Sequence, residues 1–110
     1  MGFDLVINEF RELNGKNRVN VHNSFNCEQH CWAMIAVENL YHAEPCYLNG
    51  WREAIAKSNY WGNWSELERC MIFEVLGNSP EHKDILLNSS ELVYGVINFG
   101  GNVYLTIRGK

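Results

Sequence analysis

Apolar positions along the chain follow two periods, one helical and one alternating. Over Phe3 to Leu13, the residues Leu5, Val6, Phe10 and Leu13 fall near one stripe of a helix. Asn14-Gly15 then supplies a left-handed stop. Residues 16–22 are polar and read as a link. Phe25 to Leu40 is the strongest helical segment, with Phe25, Trp32, Ile35, Ala36 and Leu40 at helical spacing. Asn23 or Ser24 can cap it.

Residues 41–62 carry the least regular pattern. Tyr41 to Pro45 is extended, because the residue before proline avoids the helical region. A short helix is expected around Trp51–Lys57. Ser65-Glu66-Leu67-Glu68 has the form of a capping box and opens a helix to about Leu76, which Gly77-Asn78 stops. Ser79-Pro80 opens a further helix to about Leu87. The C-terminus changes period. Leu92 to Phe99 and Val103 to Ile107 are β-branched and aromatic, and Gly100-Gly101 between them supplies a tight hairpin turn. Val93, Ile97 and Phe99 share one face of the first strand; Val103, Leu105 and Ile107 share one face of the second. These six are expected to pack on the helix that holds Trp32 and Ile35. Two strands alone are marginal, so a third is expected from 41–50 or 19–22. Helices first and a terminal hairpin last describe an α+β layered domain.

At 110 residues the chain is a single domain, 1–110. Hydrophobic residues at 46% and charged residues at 20% exclude disorder, collagen and coiled coil as descriptions of the whole. No apolar run approaches the roughly 20 residues of a membrane span. Nine basic residues against 13 acidic ones give a net charge of −4, and the basic ones are scattered singly. That argues against a nucleic-acid partner, which calls for a basic face. The N-terminus shows no basic start and apolar core of a signal peptide, so the sequence as it stands reads as cytoplasmic, and as secreted if a leader has been removed. Cys27, Cys31, Cys46 and Cys70 are then expected as free thiols. Cys27, His30 and Cys31 share a helical face. They lack the second short-spaced pair of a structural zinc site, so they are expected as packing residues and not as ligands.

The remaining chemistry lies with His42, Glu53 and His82. His42 follows the long helix. His82 sits in the first turn of a helix, where the positive end of the helix favours a neutral imidazole. Glu53 lies among Trp51, Ala54, Ile55 and Ala56, and a carboxylate buried among apolar neighbours needs a partner. Two histidines and a carboxylate suit a divalent cation or acid–base work.

The order of the local motifs resembles the bacterial SCP-like branch of the CAP superfamily (cysteine-rich secretory proteins, antigen five, pathogenesis-related proteins). The matching stretches are Asn8-Glu9-Phe10-Arg11 for Asn-x-x-Arg, then His42 after a helix ending Leu40-Tyr41. Arg52-Glu53-Ala54-Ile55-Ala56 stands for Gly-Glu-Asn-Ile-Ala, and Ser79 to Leu86 for Ser-Pro-Gly-His-Arg-x-Asn-Ile-Leu. Gly95-Val96 and Tyr104 follow in the strands. The chain departs at Arg52, Ala54 and Glu81. It has Leu76-Gly77-Asn78-Ser79 where a Trp-x-x-Glu would place a fourth acidic residue, for which Glu74 is a poor substitute.

The resemblance implies an α-β-α sandwich with a small central antiparallel sheet. It also implies a cleft in which His42, Glu53 and His82 meet and hold a divalent cation such as zinc. The function it suggests is a small, non-catalytic CAP-type domain that binds a metal, a small molecule or a lipid. The alternatives are a metal-dependent hydrolase using the same cleft, or a protein-interaction module without cleft chemistry. No catalytic residue is assigned; Ser79 reads as a helix cap.

Overall fold

The computed structural model describes residues 2–110. Its elements are α1 (Phe3–Leu13), β1 (Val21–Asn23), α2 (Phe25–Val37), α3 (Pro45–Leu48), β2 (Arg52–Asn59), α4 (Trp64–Arg69), α5 (Pro80–Asn88), β3 (Leu92–Phe99) and β4 (Asn102–Gly109). Helix α4 runs on as a π-helical segment, Cys70–Leu76.

The C-terminal hairpin forms where the pattern places it. Gly100 and Gly101 both take positive φ, +61° and +80°, which a side chain would resist. β4 is the central strand. It pairs antiparallel with β3 and with β2, and β1 adds parallel to the outer side of β3, giving the order β1-β3-β4-β2.

Every residue from Val103 to Ile107 is buried, because helices cover both faces of β4. On one face Val103, Leu105 and Ile107, with Ala54 and Ala56 of β2, pack on α1, α4 with its π-helical extension, and α5. On the other face Tyr104 packs on Cys31 and Met34 of α2, joined by Ile35, Ile55 and Ile97. The result is an α+β fold in three layers, α-β-α, with the C-terminal hairpin in the middle layer. Helix α2 approaches so closely that a Cβ on Gly95 of β3 would sit 2.3 Å from the Glu28 backbone nitrogen.

Several expectations are corrected by this packing. The hairpin face expected on α2 is divided: Ile97 faces α2, but Val103, Leu105 and Ile107 face the opposite layer. Cross-strand partners share a face, and Ile97 pairs with Tyr104 rather than with those three. The buried stripe of α1 is Phe3, Val6, Ile7 and Phe10, while Leu5 and Leu13 are exposed. In α2 the buried residues are Cys27, His30, Cys31 and Met34; Phe25 and Trp32 point outward. Helix α1 forms over the expected stretch, and α2 starts where expected but ends at Val37 instead of Leu40, stopped by the left-handed Glu38. In both, the rotation of the helix decides which apolar side chains reach the sheet.

The helix expected at 51–57 is strand β2. Its alternation sends Glu53, Ile55 and Lys57 to one side and Ala54 and Ala56 to the other, and its eight-residue ladder with β4 outweighs the helical preference of alanine. The cap of α4 is Asn63, whose side chain accepts from the Glu66 N–H at 3.1 Å, in place of Ser65. The third strand does come from the 19–22 region, as the short β1.

Asn8 and Arg11 of the first helix serve the architecture. Asn8 exchanges two hydrogen bonds with the Val19 backbone, at 3.0 and 2.9 Å, and so fixes the approach to β1. The buried Arg11 guanidinium donates to the Leu86 carbonyl at 2.5 Å and the Ser89 carbonyl at 3.3 Å, satisfying the carbonyl end of α5.

Candidate functional site

Glu53 projects from β2 on the α2 side of the sheet, next to the last turns of β4. Its carboxylate is 1% exposed. Three donors hold it. The Arg108 Nε donates to Oε2 at 2.9 Å; the Ala43 N–H donates to Oε1 at 2.9 Å; and His42 Nδ1 lies 3.0 Å from Oε1. His30 Nε2 is a further 3.8 Å neighbour of Oε1, and donates to the Tyr41 carbonyl at 2.7 Å.

This cluster ties down the loop between α2 and α3. Glu38 ends α2 in the left-handed conformation, φ 53°, and the chain then passes over Glu53 before Pro45 starts α3. The His30 and Glu53 side chains bind that loop's backbone at Tyr41 and Ala43, which presents His42 beside the carboxylate. An ionised carboxylate accepts only, so His42 Nδ1 is the donor in this bond, and in the neutral ring that tautomer leaves the lone pair on Nε2. The His42 side chain is 56% exposed, whereas His30 is 7% and Arg108 11% exposed.

His82, the third residue of α5, is half-buried, and α5 packs through Ile85 and Leu86 on the face of the sheet opposite α2. Its pKa is lowered, first by burial and then by the charge of His42, against a smaller opposing effect of Glu81. Burial, more than the helix end, therefore favours its neutral form. The structure joins His42 to Glu53 by a hydrogen bond and brings His82 within electrostatic reach of His42. Among the described residues no three His, Cys, Asp or Glu side chains are grouped to hold a metal ion. Glu53 has both oxygens engaged by the protein, so its chemistry fits an orienting acceptor better than a metal ligand.

Arg108 and His30 are the members of the cluster that the sequence did not point to as site residues. His30 stood out only for its spacing to Cys27 and Cys31, and those two thiols are buried in the α2–sheet interface. Arg108 had no local signal; it meets Glu53 because the β2–β4 register pairs them.

A cavity of about 670 Å³ opens beside the cluster, between the N-terminal half of α2 and the 41–47 loop, with His30, Tyr41, His42 and Arg108 in its wall. A second, of about 310 Å³, continues past Arg108 toward Trp51 and Val93.

The three-layer fold is shared with solved structures. The chain resembles the Ancylostoma-secreted protein Ac-ASP-7, a CAP/SCP-like protein, with a TM-score of 0.59 and 11% identity, over 96% of this chain and 64% of that one. It also resembles an outer surface protein from Borrelia burgdorferi, with a TM-score of 0.65 and 15% identity, over 97% of this chain and 88% of that one. The chain thus spans under two thirds of Ac-ASP-7. No protein-family model and no curated protein matches the sequence. No helix among the described residues is long and apolar enough to cross a membrane. What the likeness establishes is the fold alone, the α-β-α layering that the chain shares with these two structures.

Proposed function

We propose that this CAP-like domain is a non-catalytic binding module whose cleft takes a divalent cation such as zinc at His42 and His82, with Glu53 as the orienting carboxylate. One observation carries the reading: on the half-exposed His42 ring, Nδ1 lies 3.0 Å from a buried carboxylate, and donation to it fixes the tautomer that puts the lone pair of a neutral imidazole on Nε2. A carboxylate that fixes the tautomer and aim of an imidazole is the usual outer support of a metal-binding histidine. His82 adds a second imidazole whose neutral form is favoured, as ligation requires. A bound cation would supply charge to attract an anionic or polar partner. Two imidazoles are fewer than the three or four protein ligands of dedicated zinc sites, so water or a ligand group completes the coordination and the affinity stays below that of a structural zinc.

Calorimetric titration with zinc tests this. One equivalent should bind, and His42→Ala and His82→Ala should each weaken binding at least tenfold. Glu53→Gln should weaken it about 10–100-fold by freeing the His42 ring. Binding unchanged in both histidine variants would overturn the reading. The zinc-loaded protein should leave ester and peptide substrates intact; turnover lost with His42→Ala would make the cleft a hydrolase.

A further inference from the structure

The Arg108 guanidinium is nearly buried and only partly used. Of the five N–H donors an arginine carries, the one on Nε goes to Glu53. Among the described residues, the four on Nη1 and Nη2 have no hydrogen-bond partner. They are not sealed off: Arg108 lines both the 670 Å³ cavity and the 310 Å³ cavity, and stands where the two meet. Asn26 and Tyr47 are also shared by both walls. A cation with free donors, aimed into a groove, is a site for an oxygen anion, and the planar guanidinium suits a carboxylate best.

The surroundings define the rest of the ligand. Beyond Arg108 the smaller cavity has a mixed wall, with Leu48, Trp51 and Val93 as its apolar side and Ser24, Asn26 and Asn49 as its polar side, which suits a guest with one charged end and a short apolar body. The Lys110 ammonium lies over the Trp51 ring, 5.6 Å from its centroid, and adds positive charge at that end. Two carboxylates are near. Glu53 has its oxygens committed, and Glu44 stands on the exposed rim of the larger cavity. Neither blocks the Nη donors by a hydrogen bond.

We propose that this groove binds a small organic carboxylate with a short apolar or aromatic body, gripped by the Nη1 and Nη2 donors of Arg108 with its body against Leu48, Trp51 and Val93. The inference rests on reading the cleft as a ligand site, but it needs no metal. It gives Arg108 two roles: Nε holds Glu53, and the outer fork holds the ligand.

Phenylacetate and its neutral isostere phenylacetamide, titrated in the presence of a chelator, test the proposal on the full chain. The readout is the nitrogen–proton NMR signals of the Arg108 Nε and the Trp51 indole. Phenylacetate should shift both signals saturably, and phenylacetamide should bind at least tenfold more weakly. Arg108→Lys keeps a cation opposite Glu53 but loses the fork, and should cost at least tenfold in phenylacetate affinity. No saturable shift, or equal binding of acid and amide, overturns the proposal, and so does a fully competent Arg108→Lys. Should Arg108→Lys not fold, the comparison of acid and amide on the unmodified protein decides. Zinc binding lost with phenylacetate binding intact removes only the metal reading; the opposite result removes only this one.

Discussion

Glu53 and Arg108 are register partners across the β2–β4 ladder, and the Arg108 Nε donates to Glu53 Oε2 at 2.9 Å with both side chains almost out of water. The pair costs desolvation on both sides, so its value lies in each group's dependence on the other. Glu53 also holds the Ala43 N–H and His42, so the pair fixes the α2–α3 loop as well as the sheet edge.

Glu53→Gln keeps the shape but leaves a buried guanidinium without its counter-charge. It should cost about 3–5 kcal/mol in urea unfolding. Replacing both residues by leucine should cost less than the single change, because no buried charge is then left unpaired. A double variant that loses the sum of the two single costs would mean that the residues do not act as a pair.

Leu105→Ala tests the layer assignment. Leu105 is fully buried in the cluster formed with α1 and α5, so the substitution should cost about 2–5 kcal/mol. Ile97→Ala, on the α2 face, removes a side chain that is only half-buried and should cost less than half as much. Equal losses would mean that the hairpin presents one main face to the helices, as its alternation first suggests.

These two residues also show what the sequence discloses and what it withholds. The hairpin, the span of α1 and the start of α5 are written in local signals: Gly100-Gly101, Asn14-Gly15 and Ser79-Pro80. The orientation of a strand buried on both faces is not, because Val103, Tyr104 and Leu105 are apolar in succession and alternation is lost. Strand β2 was hidden for a related reason. Arg52 to Asn59 has a weak strand composition, and its form comes from a ladder with residues far along the chain, Asn102 to Gly109. The site divides in the same way. His42 and Glu53 were legible as a histidine after a helix and a carboxylate among apolar neighbours. Arg108 became a member only through cross-strand register.

The thiols should differ sharply in reactivity. Burial, foremost, pushes the Cys31 thiol up to about 11, and its Sγ lies 3.4 Å from the Gly95 carbonyl and 3.3 Å from Thr106 Oγ1. Cys27 is buried and raised as well, whereas Cys46 is exposed. All four are free in the structure. Iodoacetamide at pH 8 should label Cys46 first and Cys70 more slowly, while Cys27 and Cys31 react only as the protein unfolds. Mass spectrometry of timed digests reads the order. Early labelling of Cys31 would show that α2 lifts from the sheet far more readily than its packing at Gly95 allows.

His82 should make the fold sensitive to mild acid. Its folded pKa lies below the ordinary 6.5, through burial first and the charge of His42 second. Between those two values the unfolded chain holds a proton that the folded chain does not. The His82 contribution to stability is therefore fully present above about 6.5 and is lost as pH falls toward the folded value. Urea midpoints measured from pH 7.5 down to 5.5 should fall more steeply for the native sequence than for His82→Gln, which cannot titrate. His42→Gln should remove part of the same slope by deleting the neighbouring charge. Zinc should raise the midpoint at pH 7.5 and lose that effect by pH 5.5, since protonated imidazoles cannot ligate. If His82→Gln and the native chain lost stability in parallel, the His82 ring would be no more buried folded than unfolded.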